Sequence, residues 1–173
     1  MAGRVLLITG ERGVGKTTVC RRAVTLAKAA GWTCGGLLTL RAGVRGQREV
    51  VEVRTGDRRR LTTFTAGVRQ GRYLFDPEAL AWGARALTRA LPCDLLVVDE
   101  MGPLEVERQQ GWVAALDLLR AGRFRMALVV VRPELVAEVR RRLAALDPAV
   151  VTVTRRNRDQ LPAALVEGLE VDP

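Results

Sequence analysis

The stretch of sequence that decides the fold is Gly10-Glu11-Arg12-Gly13-Val14-Gly15-Lys16-Thr17. A short apolar run, Arg4–Thr9, precedes it, and a segment with apolar residues at helical spacing, 16–30, follows it and ends at Gly31. The stretch matches the pattern G-x-x-x-x-G-K-[ST] in the context that gives this pattern its meaning, between a buried strand and the N-terminus of a helix. It therefore predicts a phosphate-binding loop.

Each residue type in the loop has a physical reason. Glycines let the backbone pass close to phosphate oxygens, and successive N–H groups then point at the anion. We expect Lys16 to bridge the outer phosphates and the Thr17 hydroxyl to bind Mg²⁺. Only Lys16 and Lys28 among the 28 basic residues are lysine, and a compact ammonium fits this loop where a planar guanidinium does not. The predicted nucleotide-binding residues of the loop are Gly10, Glu11, Arg12, Gly13, Val14, Gly15, Lys16, Thr17 and Thr18.

An acidic pair ends the apolar run at 94–100. Such a continuous run is typical of a parallel strand that is buried on both faces. Asp99 at its end is predicted to hold Mg²⁺, and Glu100 to orient or deprotonate an attacking water. The alternative is an ordinary acidic strand end, but the complete phosphate loop favours the functional interpretation.

Strand and helix patterns alternate along the rest of the chain. Together they predict one α/β domain over 1–173, a P-loop three-layer sandwich with a mostly parallel sheet and helices on both faces. The segment 41–75 breaks the alternation and is predicted to be a short antiparallel, lid-like excursion. The remaining predicted strands are 34–40, 49–53, 60–64, 127–131 and 150–153, and the remaining predicted helices are 76–91, 109–120, 132–146 and 159–169.

Two further residues are candidates because they follow strands of this sheet. Ligands of open α/β sheets bind beyond the carboxyl ends of the strands. Arg132 follows the strand 127–131 and is predicted to neutralise charge on a transferring phosphoryl group; its alternative is a structural arginine before a proline-led helix. Asn157 follows the last strand and is a candidate for contact with the base, with helix capping by Asn157 or Asp159 as the alternative.

Composition excludes several classes of function. The chain of 173 residues has no histidine, which excludes Ser-His-Asp hydrolysis, His-ligated zinc and histidine general bases. Three scattered cysteines fit a reduced, cytoplasmic protein, and no apolar stretch approaches the roughly 18 residues of a membrane span. The net charge of +9 is compatible with nucleic acid, but aromatic residues make up only 4%, too few for a base-stacking surface.

Three segments resemble one family, the small P-loop nucleoside-triphosphatases first described in thermophiles, which have a human relative called cancer-related nucleoside-triphosphatase. The loop with Thr17-Thr18 is similar to the family's G-x-x-G-x-G-K-T-T, Asp99-Glu100-Met101-Gly102-Pro103-Leu104-Glu105 to its D-E-x-G-x-x-E, and the segment 153–162 to its V-T-x-x-N-R-D-x-L-P. The resemblance implies magnesium-dependent hydrolysis of several nucleoside triphosphates, such as ATP and GTP, with little base preference. The chain departs from the family at Gly36-Leu37-Leu38-Thr39-Leu40-Arg41, which lacks the family's glutamate, and it only echoes the family's V-G-x-Y at Gly71-Arg72-Tyr73.

The sequence therefore predicts a magnesium-dependent nucleoside-triphosphate phosphohydrolase. One alternative is a kinase that passes the γ-phosphate to a small acceptor, with the excursion as its lid. Another is a nucleotide-switched module that binds RNA or protein through its basic surface.

Overall fold

A central sheet of seven strands organises the computed structural model, which describes residues 3–43, 46–70, 73–102, 105, 108 and 111–170. The strands described are β1 (Arg4–Thr9), β2 (Cys34–Arg41), β3 (Arg48–Glu52), β4 (Arg58–Arg60), β5 (Val68–Gln70), β6 (Tyr73–Phe75), β7 (Cys93–Met101), β8 (Phe124–Val131) and β9 (Ala149–Thr152). The α-helices described are α1 (Lys16–Ala29), α2 (Pro77–Thr88), α3 (Ala114–Ala121), α4 (Val136–Arg142) and α5 (Leu161–Glu170), and short 3₁₀ turns occupy Pro133–Leu135 and Ala144–Leu146.

The sheet has the order β4-β3-β2-β7-β8-β1-β9. Its neighbours from β2 to β9 are all parallel, because each connection between them passes through helix. The predicted α/β class with a mostly parallel sheet is confirmed. Parallel strands all end at the same edge, so the residues after β1, β2, β7 and β8 meet there.

Helices bury both faces of the central strands of the sheet. One apolar core packs α2, α3 and α4 on one face, with Leu7, Leu96 and Val129 contributed by the strands. A second core packs α1 and α5 on the other face, with Ile8 and Leu128 from the same strands. Successive residues of β1, β7 and β8 thus serve opposite cores, which is why their sequence is a continuous apolar run.

The antiparallel excursion adds two strands to the edge at β2 and a separate hairpin of β5 and β6. Its second strand is Arg58–Arg60, so the predicted strand 60–64 was wrong in position. The turn after β3 closes at once, with hydrogen bonds from Glu52 N–H to the Asp57 carbonyl and from Gly56 N–H to the Glu52 carbonyl. The chain after β4 then pairs with the hairpin instead, through Thr63 N–H and the Leu74 carbonyl.

The start of α2 agrees with the prediction, whereas the starts of α3 and α5 do not. The Asp76 carboxylate accepts from Glu78 N–H at 2.9 Å and begins α2 where the sequence predicts. In contrast, α3 begins only at Ala114 and α5 only at Leu161, not at residues 109 and 159. Positions 109 and 110 lie outside the described residues. In the part of the chain that is described, no helix is both long enough and apolar enough to cross a membrane.

Candidate active site

The loop between β1 and α1 has the backbone shape that its glycines permit. Gly10 has φ 136° and Gly15 has φ 112°, both in the region that side chains rarely adopt. A Cβ at Gly10 would also lie 2.4 Å from the carbonyl oxygen of Val153. No side chain caps the N-terminus of α1, so the N–H groups of its first turn are available to an anion.

Lys16 lies folded over this loop. Its Nζ donates to the carbonyl oxygens of Gly10 at 2.7 Å and Glu11 at 2.9 Å. Burial lowers the pKa of Lys16, while the nearby carboxylates of Glu100 and Asp99 raise it. The ammonium is therefore held at the mouth of the loop between the backbone and two acidic groups.

Asp99 is buried beside the first turn of α1. Thr17 Oγ1 donates to Asp99 Oδ1 at 3.2 Å, and Thr39 N–H donates to Asp99 Oδ2 at 3.1 Å. The Thr39 hydroxyl also donates to the Asp99 carbonyl at 2.6 Å. Burial raises the pKa of Asp99 to about 7, and the bonds from Thr39 and Thr17 oppose that rise.

Thr39 is a site residue that sequence reasoning missed. It lies on β2, whose parallel pairing with β7 places Leu37 opposite Val98. This pairing brings the two strand ends together. The motif pattern holds no such information, but a correct strand order would have placed a β2 residue beside Asp99.

The Thr17 and Asp99 oxygens fit a small hard cation. Mg²⁺ takes oxygen ligands and is commonly held by one or two protein groups together with substrate phosphates. Among the described residues no cluster of three or more His, Cys, Asp or Glu side chains could hold a metal by itself. The donor set therefore suits a cation that arrives with a phosphate ligand.

Glu100 and Arg132, predicted separately, form an ion pair. Arg132 Nε donates to Glu100 Oε1 at 2.7 Å, and the two side chains are 38% and 35% exposed. The pairing of β7 with β8 explains this contact, because Met101 lies opposite Val131 just before Arg132. Both side chains are therefore open to a ligand at the same edge as Asp99.

Asn157 braces the turn after β9. Its Nδ2 donates to the Thr152 carbonyl at 2.9 Å, and its Oδ1 accepts from Thr154 N–H at 2.8 Å. Both ends of the amide are thus used within the loop, and contact with a base stays a prediction. The next residue, Arg158, reaches the phosphate loop and donates to the Val14 carbonyl at 3.4 Å.

Glu105 is a second residue whose role the sequence did not reveal. Its carboxylate is buried and accepts from Gly102 N–H at 3.0 Å and from Trp112 N–H at 3.3 Å. Burial raises the pKa of Glu105 to about 7. These bonds fix the chain directly after β7, next to Glu100, and they keep residues 111–113 out of the helix predicted there.

Comparison with known proteins agrees with this geometry. The model of the family described as NTPase matches residues 5–166. The protein named nucleoside-triphosphatase THEP1 of Methanosarcina acetivorans is 35% identical over 91% of this chain and 91% of its own length.

Two solved structures share the fold. The solution structure of a human cancer-related nucleoside triphosphatase has a TM-score of 0.72 at 26% identity, with 98% of both chains covered. The crystal structure of THEP1 from Aquifex aeolicus has a TM-score of 0.73 at 20% identity, covering 96% of this chain and 99% of that chain. The resemblance seen in the three sequence segments is confirmed, and the chain belongs to the NTPase family.

Proposed function

We propose that this enzyme is a magnesium-dependent nucleoside-triphosphate phosphohydrolase of broad base tolerance, which converts a nucleoside triphosphate and water into a diphosphate and phosphate. One observation carries the proposal. The phosphate loop with its lysine, the Thr17–Asp99 pair and the Glu100 carboxylate all lie at one edge of the sheet. The family and the name of its archaeal relative support the same activity.

Binding is the task of the loop. Its N–H groups and the N-terminus of α1 face the phosphates, and Lys16 exchanges its two carbonyl partners for phosphate oxygens. That exchange is open to Lys16 because both partners are neutral backbone groups at the mouth of the loop. In this proposal, contacts with the phosphates rather than a base pocket supply most of the affinity.

Thr17 and Asp99 would hold Mg²⁺, which neutralises charge on the β- and γ-phosphates when it is bound. Asp99 is already oriented for this role by the Thr17 hydroxyl and by Thr39 N–H. Burial raises the pKa of the Asp99 carboxyl, and a bound cation would favour its ionised form.

Hydrolysis needs a water in line with the γ-phosphorus. In our proposal Glu100 orients this water and accepts its proton as the new P–O bond forms and the bond to the β–γ bridging oxygen breaks. Arg132 contacts Glu100 in the structure, and a γ-phosphate oxygen would compete for the same guanidinium. Arg132 would then release Glu100 and neutralise charge on the transferring phosphoryl group.

The chain offers a matched test of the loop. Lys28 is the only other lysine, and its Nζ donates to the Val53 carbonyl at 2.5 Å, so it lies in a structural contact. We expect Lys16→Ala to lower the rate of phosphate release from ATP, GTP, CTP and UTP by roughly 10²-fold or more. Lys28→Ala should release phosphate at the wild-type rate. The assay contains Mg²⁺ and no acceptor, with an EDTA arm and a melting curve for each protein. Two outcomes contradict the proposal: an unchanged rate of phosphate release by the wild type when EDTA is added, or a normal rate by folded Lys16→Ala.

A further inference from the structure

Arg48 is placed at the edge of the active site by strand register. It begins β3, which runs antiparallel to β2 with Thr39 opposite Val50 and Arg41 opposite Arg48. Thr39 is the residue that bonds Asp99. Arg48 therefore lies one side-chain repeat further toward the carboxyl edge of the sheet, on the side of β7 away from the phosphate loop.

The excursion holds the Arg48 side chain in place. Its backbone N–H donates to Thr62 Oγ1 at 3.0 Å, and its carbonyl accepts from Leu61 N–H at 2.8 Å. Its guanidinium lies over the Tyr73 ring, 5.4 Å from the centroid, and Nη2 donates to the Tyr73 hydroxyl at 3.4 Å. The ring and the hydroxyl of Tyr73 thus restrict the long side chain of Arg48, which would otherwise be mobile.

Arg48 forms no salt bridge with a carboxylate in the described part of the chain. Nearby arginines differ: Arg58 pairs with Glu49 and Arg89 pairs with Glu52. Arg48 is partly buried, and a partly desolvated cation is normally paired. Its charge is felt at Asp99, where it opposes the rise in pKa that burial causes. An anion bound at this edge would give Arg48 the partner it lacks.

We propose that Arg48 binds the γ-phosphate of the substrate from the excursion side, facing Lys16 across the site. The inference rests on the proposed function, because it requires the triphosphate to lie in the loop with its last phosphate toward β7. A guanidinium suits this role because its N–H groups match phosphate oxygens in pairs. Arg48 would then distinguish triphosphate from diphosphate, and the excursion would sense the bound substrate.

Titration calorimetry with magnesium tests this against a matched control. The ligands are a non-hydrolysable ATP analogue and ADP, and the proteins are wild type, Arg48→Ala and Arg60→Ala. Arg60 lies on the neighbouring strand, opposite Glu49 in register, and is exposed. Arg60→Ala removes the same charge as Arg48→Ala. We expect Arg48→Ala to lower the affinity for the analogue by about tenfold or more and the affinity for ADP by less than about threefold. Arg60→Ala should change neither.

Equal weakening of both ligands, or no weakening, overturns the inference, since a residue that only anchors the excursion would not separate them. If Arg48→Ala melts early, Arg48→Lys and Tyr73→Phe replace it. Lysine keeps the charge without the paired N–H groups, and phenylalanine keeps the ring without the hydroxyl. Both should lose part of the discrimination, and unchanged discrimination in both overturns the inference. Phosphate release is scored separately, so a wild type that discriminates but releases no phosphate contradicts only the proposed function.

Discussion

Glu100 differs from the acidic residue beside it in its surroundings. Asp99 is 1% exposed and takes hydrogen bonds from Thr17 and Thr39, whereas the Glu100 side chain is 35% exposed and bonded to Arg132. A buried carboxylate held by hydrogen bonds suits a fixed metal ligand, and a partly exposed one suits contact with water. The strands that pack beside the two adjacent acids therefore give them different surroundings, which supports the different roles proposed for them.

Glu100→Gln should separate binding from chemistry. The amide keeps the shape but loses the basicity, so we expect magnesium-dependent triphosphate binding at least equal to wild type and turnover lower by roughly 10²- to 10⁴-fold. A fluorescent-nucleotide titration and single-turnover phosphate release on the same preparation measure both. Glu134→Gln is the control, because this exposed acid two residues after Arg132 loses the same charge nearby. Wild-type hydrolysis by Glu100→Gln would place the base elsewhere.

We expect Glu105 to make folding stability depend on pH in a defined direction. Burial raises its pKa from 4.5 to about 7 in the folded protein. The folded chain therefore holds more protons than the unfolded chain between these pH values, and its free energy of unfolding falls as pH rises. Glutamine cannot ionise, so Glu105→Gln lacks this pH dependence. From pH 5 to pH 8, the free energy of unfolding of the variant minus that of wild type should therefore rise by up to roughly 3 kcal/mol.

Urea unfolding at four pH values measures this difference. Asp99 also has a raised pKa, but it is present in both proteins and its contribution cancels. Parallel stability curves for wild type and Glu105→Gln would show that Glu105 does not carry the shift.

Elements whose signals are local were predicted closely from the sequence. The strand Arg4–Thr9 has the bounds that its apolar run predicts, and Asp76 begins α2 as a capping residue should. The helix predicted from residue 109 begins at Ala114 instead, because Trp112 N–H is bonded to the Glu105 carboxylate. That bond joins positions seven residues apart, and no periodicity or capping rule contains it.

The candidate site divides in the same way. The phosphate loop and Asp99 follow from motifs whose residues are adjacent in sequence. Thr39 and Arg48 depend on the order and register of strands, which alternation alone does not determine. The sequence places Glu100 and Arg132 at the ends of parallel strands and so at the same edge of the sheet. Their direct contact also depends on β7 and β8 being neighbours, which the sequence pattern does not show.

The packing of α2 against the sheet depends on a glycine. A Cβ at Gly83 would lie 2.5 Å from Trp112 Nε1 and 3.2 Å from Leu37 Cδ1, and Trp112 Nε1 already donates to the Leu80 carbonyl. Alanine favours a helix by about 1 kcal/mol, but overpacking costs about 1–3 kcal/mol. We expect Gly83→Ala to lower the free energy of unfolding by about 1 kcal/mol, measured by urea denaturation.

Gly168 in α5 is the control for this prediction. A Cβ there would meet Arg4 Nη2 at 2.8 Å and Met126 Cε at 3.2 Å, both at the ends of flexible side chains that can move. Gly168→Ala should therefore be neutral or slightly stabilising. Equal stability changes in the two variants would mean that the Trp112 contact does not limit the packing of α2.

At the scale of the whole molecule, the proposed function concentrates recognition on the phosphates of the nucleotide. The net charge of +9 attracts polyanionic nucleotides from any direction. In the proposed function, the loop, Lys16 and the Thr17–Asp99 pair all serve the phosphate end of the nucleotide. None of these proposed contacts involves the base.

The candidate base contact adds little selectivity to this arrangement. A site rejects a wrong base strongly only when buried donors and acceptors would be left unpaired. The Asn157 amide is already bonded to the Thr152 carbonyl and to Thr154 N–H, so a base gains little from it. We therefore expect kcat/KM for ATP, GTP, CTP and UTP to agree within roughly tenfold, about 1.4 kcal/mol. Competition between paired triphosphates measures these ratios directly. A preference of roughly a hundredfold for one base would contradict this prediction and would reveal a specific base pocket.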